Sequence, residues 1–305
     1  MAKGVPVSSV PELVADAHCQ IAEGPVWHPD EQCLYWTDIP AGKVYRFDPA
    51  IEKHELVYQG ESVGGMTIQS DGSLLLLGAH GSVRSWRDGQ VTDDVLLQVP
   101  EERNTRFNDV LADSSGRVIS GTMAERDARG AIVRYGQLYR LEASGQFHAL
   151  FGGMGSPNGM GFSGDQRHMY LTESIVGTQA IFRFEYDADS GTLDNRTMFH
   201  QSASDGRAGR PDGLTVDVDD CIWSARWDGA AVVRFDPEGR ECERYTLPVA
   251  KVTSLTFGGP DYTDLYITTA TSHHPDEDGR GAGGLFRLQT GARGRAEFRS
   301  RVGLY

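Results

Sequence analysis

The stretch GPVWHPDEQCLYWTD, residues 24–38, places a short apolar run before an Asp-containing turn and a second apolar run. Five later stretches repeat this shape: GMTIQSDGSLLLLG from Gly65, DVLADSSGRVISGT from Asp109, GMGFSGDQRHMYLTE from Gly159, GLTVDVDDCIWSAR from Gly213 and LTFGGPDYTDLYITT from Leu255. The second run begins, at intervals of 40 to 53 residues, at Leu34, Leu74, Val118, Met169, Ile222 and Leu265. Recurrence at this period is typical of a repeat architecture.

Each copy continues into a third run that alternates apolar and polar residues and stops at a turn containing Gly or Pro. This is the period-two pattern of a half-buried strand. The third runs begin at Lys43, Ser82, Gln137, Ala180, Ala231 and Gly284. A fourth strand fits between copies, as in ECERYTLP from Glu241. Four antiparallel strands per copy predict an all-β, six-bladed β-propeller, since a sandwich or a β-helix explains six such copies less well.

The repeat predicts one propeller domain over residues 1–305, with residues 1–12 as a loose N-terminal arm. Because the ring must close, we expect the stretch around Leu13 to Cys19 to pair with strands of the last copy. Blade turns account for much of the 37 Gly and 13 Pro. The His- and acid-rich stretch at 273–278 is predicted to be a solvated loop between strands.

The composition narrows the possible partners. The chain has 29 Lys and Arg against 43 Asp and Glu, a formal charge of −14, which disfavours nucleic acid and anionic membranes. No apolar run approaches the roughly 18 residues of a membrane span. Four widely spaced cysteines suggest reduced thiols rather than disulfides, and with no apolar leader they predict a cytoplasmic protein. The oligomeric state stays open.

One column of the aligned copies carries polar side chains just before each first strand. Its members are Glu23, Gly64, Asn108, Asn158, Asp212 and Ser254. Innermost propeller strands surround a channel, so equivalent positions form a ring at one mouth of it. Converging Glu23 and Asp212 there is unfavourable because of desolvation and like-charge repulsion, and a bound cation would offset both. Oxygen ligands suit hard cations, and open coordination positions suit catalysis.

Local turns are the simpler interpretation of Asn158-Gly159 and of Asp212-Gly213, because both dipeptides are common in turns. Four oxygen-bearing side chains in register across different copies favour the ring. Trp227 is a further candidate for lining the site. No GxSxG elbow, P-loop or dinucleotide fingerprint supports another kind of catalysis.

With these residues aligned, the chain resembles the gluconolactonase family that includes regucalcin, the SMP-30 family. The matching stretches are AEGPVWHPDEQCLYWTDI, RFNDVLADSSGRVISGTMAE, SPNGMGFSGDQRHMYLTES, RPDGLTVDVDDCIWSA and SLTFGGPDYTDLYITTA. The resemblance implies a six-bladed propeller that hydrolyses sugar lactones such as gluconolactone to aldonic acids. It also implies one divalent cation at the channel mouth, with Ca²⁺ favoured over Mg²⁺, Mn²⁺, Zn²⁺ or Fe²⁺.

The family's functional residues fall on matching positions of this chain. Its metal-binding Glu, Asn and Asp fall on Glu23, Asn158 and Asp212, and the Asp is also the family's proposed general base. Its substrate-binding Arg and Asn fall on Arg106 and Asn108.

One position departs from the family's pattern. Animal members carry two adjacent acids after the Gly-Thr-Met stretch, whereas here Glu125 is followed by Arg126. Glu125 is therefore the candidate substrate contact, or the sugar specificity differs.

Two other functions use the same architecture: an organophosphate or aryl-ester hydrolase on the same cation, and a non-enzymatic calcium-binding propeller. Converging acids disfavour a propeller that only binds other proteins.

Overall fold

Short antiparallel strands dominate the computed structural model, which describes residues 8–91, 96–202, 209–272 and 278–303. The first strand is β1 (Ser8–Ala15). Blade one contains β2 (Ala22–His28), β3 (Cys33–Asp38), β4 (Lys43–Asp48) and β5 (Lys53–Gln59). Blade two contains β6 (Val63–Ile68), β7 (Leu74–Gly78), β8 (Ser82–Arg87), β9 (Gln90–Val91) and β10 (Leu97–Gln98), followed by a 3₁₀ turn, Pro100–Glu102.

The third and fourth blades follow in the same order. Blade three contains β11 (Phe107–Ala112), β12 (Val118–Thr122), β15 (Gly136–Leu141) and β16 (Phe147–Met154), with a small hairpin, β13 (Glu125–Arg126) and β14 (Ile132–Arg134), inserted. Blade four contains β17 (Pro157–Phe162), β18 (His168–Glu173), β19 (Ala180–Asp187) and β20 (Thr192–Gln201).

Two more blades complete the ring. Blade five contains β21 (Arg210–Val216), β22 (Ile222–Trp227), β23 (Ala231–Phe235) and β24 (Glu241–Thr246). Blade six contains β25 (Lys251–Gly258), β26 (Asp264–Ala270) and β27 (Leu285–Gln289), with β1 as its outermost strand. Six antiparallel sheets therefore form a six-bladed β-propeller; five have four strands, and in blade two the short strands β9 and β10 both pair with β8 in the outermost position. Each predicted second strand begins within one residue of its expected start.

The two ends of the described chain close the ring within blade six. Strand β1 pairs antiparallel with β27, with Leu13 opposite Phe286, as the sequence predicts. The Cys19 amide donates to the Gly283 carbonyl at 2.9 Å. The predicted loose arm over residues 1–12 is wrong for residues 8–12, because these residues belong to a paired strand; residues 1–7 lie outside the described part.

Burial falls from the channel outward within each blade. In blade four every residue of β17 is buried, whereas most residues of the outermost strand, β20, are exposed. The hydrophobic core consists of layers between neighbouring blades; for example, Tyr35 and Val26 of blade one pack with Leu76 and Trp86 of blade two. All four cysteines are free, and three are buried, which agrees with the predicted reduced thiols.

The innermost strand of every blade carries a β-bulge at the position of the predicted ring. The bulges interrupt pairing between β2 and β3, β6 and β7, β11 and β12, β17 and β18, β21 and β22, and β25 and β26. Both Asn158-Gly159 and Asp212-Gly213 lie inside these strands, so the turn interpretation is wrong for both. A bulge re-aims side chains, here toward the channel.

Glycine at these bulges permits the inner strands to approach each other. A Cβ atom on Gly159 would lie 2.0 Å from the Leu214 backbone nitrogen. One on Gly213 would lie 2.5 Å from the Ser254 Cα atom. Since no side chain fits in such a contact, glycine is required there by the spacing between neighbouring blades rather than by a turn.

The C-terminal segment after β27 crosses the other end of the channel. Its backbone contacts blade five through Val218 and blade two through Ile68 and Ser70. Glu297 from this segment faces a cavity of about 130 Å³ that Asp109 also lines.

No helix in the described ranges is long and apolar enough to span a membrane. Residues 273–277, most of the predicted His- and acid-rich loop, lie outside those ranges.

We expect Gly159→Ala to destabilise the propeller by roughly 2–3 kcal/mol, because the added methyl group meets backbone that no rotamer change can move. Urea unfolding of the purified protein measures this loss. The control is Gly152→Ala, whose methyl group would have the flexible Gln137 side chain as its nearest described neighbour, at 3.1 Å, and should change stability by less than about 1 kcal/mol. Equal stability of the two variants would contradict the close-approach argument.

Candidate metal and substrate site

A cavity of about 190 Å³ opens at the channel mouth on the side where the inner strands begin. Glu23 from β2, Asn108 from β11, Asn158 from β17 and Asp212 from β21 line it together. The structure thus brings together four of the six ring positions, and these are the four with side-chain carbonyl or carboxylate oxygens. All four side chains are 4–5% exposed, so their polar atoms are desolvated. Arg106, the residue before β11, lines the same cavity.

A chain of hydrogen bonds runs across the site from blade three to blade five. Arg106 Nη1 donates to Asn108 Oδ1, and Asn108 Nδ2 donates in turn to Asn158 Oδ1. Asn158 Nδ2 then donates to Ser174 Oγ at 2.7 Å. The Ser174 hydroxyl donates to the Pro211 carbonyl at 2.6 Å, next to Asp212. Every donor points the same way, so the chain fixes the orientation of both amides.

The Asn158 amide oxygen is held toward the cavity by this arrangement. Its nitrogen is committed to Ser174, and Oδ1 accepts one hydrogen bond from Asn108. A carboxamide oxygen has two acceptor positions, so one position of Asn158 Oδ1 remains for a further partner. Asn108 is anchored in the same way, because its Nδ2 also donates to the Pro157 carbonyl at 2.7 Å.

The two carboxylates of the ring carry an electrostatic penalty. Burial, followed by repulsion from Asp109 and Asp212, raises the pKa of the Glu23 carboxyl well above its usual range. Burial and then Asp109 raise the pKa of the Asp212 carboxyl, while Arg210 and Arg106 oppose the rise. One Glu23 oxygen accepts a hydrogen bond from the Gly24 amide at 3.0 Å. Among the described residues, no hydrogen bond satisfies the Asp212 carboxylate, so the charge of the pair is only partly compensated.

Asp109 adds to this negative potential from below the ring. Burial raises its pKa to about 7, and Arg106 acts in the opposite direction. One of its oxygens is buried without a hydrogen-bond partner. The three acids Glu23, Asp109 and Asp212 therefore share a low-dielectric channel in which Arg106 is a common counter-charge.

The donor set fits a hard divalent cation. Glu23 and Asp212 offer carboxylate oxygens and Asn158 an amide oxygen, which are the ligand types that Ca²⁺, Mg²⁺ and Mn²⁺ prefer. A cation between the two carboxylates would favour their ionised forms and offset the desolvation that raises both pKa values. Within the described ranges, no group of three or more His, Cys, Asp and Glu side chains has the arrangement of a metal site. A complete ligand set therefore needs the Asn158 amide beside the two carboxylates.

Glu125 lies outside the cavity. It begins the inserted hairpin, where Oε1 accepts a hydrogen bond from Asn104 at 2.9 Å and Oε2 lies 3.3 Å from Arg134 Nε. Arg126 instead donates to the Gly130 carbonyl at 2.7 Å within that hairpin. Both oxygens of the Glu125 carboxylate therefore already have polar neighbours. A substrate contact by Glu125 stays a prediction.

Four further polar or aromatic residues line the cavity. Trp227 does so, in agreement with its position in the sequence. Ser156, Ser174 and Arg210 were not predicted. Ser174 follows a second strand and Arg210 precedes the Asp-Gly bulge, so a search for the same column in each copy does not find them.

These features define a class of protein: a β-propeller with a polar, desolvated channel-mouth site built from four different blades. The sequence profile of the SMP-30/gluconolactonase/LRE-like region matches residues 21–271. The chain belongs to this family, as its motifs predict.

Individual relatives match along nearly the whole chain. The pentonolactonase XacC of Haloferax volcanii is 43% identical over 298 residues, covering 95% of this chain and 98% of that protein. Regucalcin of Xenopus laevis is 33% identical over 286 residues, covering 91% and 93%. A solved structure of a calcium-binding protein, regucalcin, from Agrobacterium tumefaciens has a TM-score of 0.85 at 25% identity, covering 96% and 98%.

We expect Ser174→Ala to lower the free energy of unfolding by about 1–3 kcal/mol, because it leaves Asn158 Nδ2 and the Pro211 carbonyl without their buried partner. Chemical denaturation after chelation of metal ions measures the change. Ser156→Ala is a matched control, since Ser156 lines the same cavity but its hydroxyl, among the described residues, donates only to the Met123 sulfur at 3.8 Å. A loss as large in the Ser156 variant would contradict the role of the hydrogen-bond chain.

Proposed function

We propose that the protein is a hydrolase that opens sugar lactones to aldonic acids with the help of one divalent cation. The observation that carries this proposal is the convergence of Glu23, Asn158 and Asp212 with Arg106 and Asn108 around one cavity. Family membership and the names of the relatives, a pentonolactonase and regucalcins, support the choice of substrate class. Among sugar lactones, the 43% identical pentonolactonase favours a five-carbon substrate over a six-carbon one.

Glu23, Asn158 and Asp212 are the residues that would hold the cation. When bound, it supplies Lewis-acid polarisation of the lactone carbonyl and neutralises developing negative charge. The all-oxygen donor set suits Ca²⁺, Mg²⁺ and Mn²⁺, and we favour Ca²⁺ among them. The calcium-binding description of the Agrobacterium tumefaciens protein, which shares the fold, is consistent with this choice.

Asp212 has the second role of general base. Its carboxylate faces the cavity and, among the described residues, accepts no hydrogen bond, so it can accept the proton of an attacking water molecule. Arg210 and Arg106 both favour its ionised form. Ionisation is required, since only the carboxylate accepts a proton.

Arg106 and Asn108 would orient the substrate. Arg106 retains donors beyond the two that Nη1 gives to Asn108 Oδ1 and to the Phe107 carbonyl, because a guanidinium group has five N–H donors. Its charge lies among the acids of the channel, so it faces the carbonyl and hydroxyl oxygens of a lactone held above them. Orientation of this kind lowers the entropic part of the barrier.

We expect Asp212→Asn to lower kcat for lactone opening by at least about 100-fold, because the amide can neither accept the proton nor complete the charge of the cation site. The rate is followed as acid release from pentono- and hexonolactones, with the spontaneous rate subtracted. Asp194→Asn is the matched control, since Asp194 is exposed on the outermost strand of blade four.

Parallel assays with an aryl acetate and a phosphotriester distinguish a lactonase from the alternative function, an organophosphate or aryl-ester hydrolase. The proposal predicts that lactones are the better substrates and that all activity falls together in the Asp212 variant. Turnover close to wild type in that variant would contradict the proposed role of Asp212. A preference for the phosphotriester would contradict the substrate class.

A further inference from the structure

At the outer wall of the channel-mouth cavity, an arginine side chain lies over an aromatic ring. Arg210 begins β21 and pairs in register with Trp227, the last residue of β22. The Arg210 guanidinium carbon lies 5.7 Å from the centroid of the Trp227 ring, and both residues line the cavity. Cation–π attraction to the indole favours conformations that keep the guanidinium group over the ring, and the N–H donors of this group lie in one plane.

Arg210 does not have an acidic neighbour to itself among the described residues. Asp228 Oδ2 lies 3.6 Å from Arg210 Nη2. Asp228 Oδ1, however, contacts the Lys251 ammonium group, which itself lies 4.8 Å from the centroid of the Trp227 ring. Within the described ranges, Arg210 and Lys251 therefore share one half-exposed carboxylate.

Arg210 and Arg106 have different surroundings. Arg106 is the common counter-charge of Glu23, Asp109 and Asp212 inside the channel. Arg210 stands further out, with its side chain 34% exposed, but it lies two residues before Asp212 on β21 and lines the same cavity. A substrate held over Asp212 therefore lies within reach of Arg210.

We propose that Arg210, braced by Trp227, forms a specificity subsite that donates paired hydrogen bonds to two adjacent oxygen atoms of the lactone substrate. This inference rests on the proposed lactonase function and names a determinant of its specificity. Two adjacent oxygens occur in the vicinal hydroxyls of a sugar ring and in a carboxylate substituent. Both match the fork of a guanidinium group, which an ammonium group does not reproduce.

The first test compares a sugar lactone with a lactone that has no hydroxyl groups. We expect Arg210→Met to lower kcat/KM for a pentono-1,4-lactone by roughly 10- to 100-fold, mainly through KM, because hydrogen bonds from a charged donor are lost. For γ-butyrolactone the loss should stay below about threefold, measured as kcat/KM or as an inhibition constant. Equal losses on both lactones would overturn the proposal, because they would indicate an effect on Asp212 or on folding.

A second variant tests the paired geometry without γ-butyrolactone. Arg210→Lys keeps the positive charge near Asp212 but removes the fork, so we expect kcat/KM for the sugar lactone to fall by about tenfold. Activity equal to wild type in this variant would overturn the paired hydrogen bonds. Arg196→Met is the matched control, because the Arg196 guanidinium carbon also lies over an aromatic ring, 5.1 Å from the Phe182 centroid, but on the outermost strand of blade four. Its selectivity between the two lactones should be unchanged.

A lactone that carries a carboxylate substituent identifies which oxygen pair is bound. If Arg210→Met loses most on this substrate, the subsite takes a carboxylate; if it loses most on the neutral sugar lactone, the subsite takes vicinal hydroxyls. Failure of the lactonase proposal is distinguishable, since wild-type protein would then open none of these lactones. Wild-type activity with unchanged selectivity in Arg210→Met would overturn the subsite alone.

Discussion

The close approach of neighbouring inner strands at glycine positions is the constraint on which the rest of the structure depends. At Gly159 and Gly213 an added Cβ atom would lie within 2.5 Å of the backbone of the next blade. Bulges at the same level interrupt the pairing of each innermost strand. The two features together narrow the ring and turn Asn158 and Asp212 toward its axis, so the site geometry follows from the way in which the blades pack.

Placing acids on that axis opposes folding, and the structure offsets only part of the penalty. Glu23 and Asp212 are more than nine-tenths buried, and burial raises the pKa of both. Arg106 partly neutralises them and begins the hydrogen-bond chain that reaches Ser174. Amides held in one orientation need no rearrangement when a ligand binds. The uncompensated charge is what a divalent cation would neutralise, which connects the stability of the channel with the proposed activity.

The fold was predictable from the repeat, because the same order of apolar runs and turns recurs in each of the six copies. The second strands begin within one residue of Leu34, Leu74, Val118, Met169, Ile222 and Leu265, since apolar runs bounded by Asp and Gly turns specify them locally. The column through Glu23, Asn158 and Asp212 was equally visible. Dipeptide preferences alone would have assigned Asn158-Gly159 to a turn, and only its register with other copies indicated a strand.

Structural features that occur in only one blade could not be predicted by comparing the copies with one another. The Glu125–Arg134 hairpin interrupts a single blade, and its contacts hold the Glu125 carboxylate away from the cavity. Ser174 and Arg210 enter the site from strand ends whose relative positions depend on the assembled ring. The register of β1 with β27 joins residues at least 270 positions apart, so local patterns suggested the pairing but could not fix where the strand begins.

Titration of the chelated protein with Ca²⁺, with bound ion and lactone opening followed in the same sample, tests the central claim most directly. We predict that activity is absent without a divalent cation, rises in proportion to occupancy and saturates at one ion per chain. Repeating the titration with Mg²⁺, Mn²⁺, Zn²⁺ and Fe²⁺ ranks the ions. Full lactonase activity in the chelated protein would contradict the role of the cation.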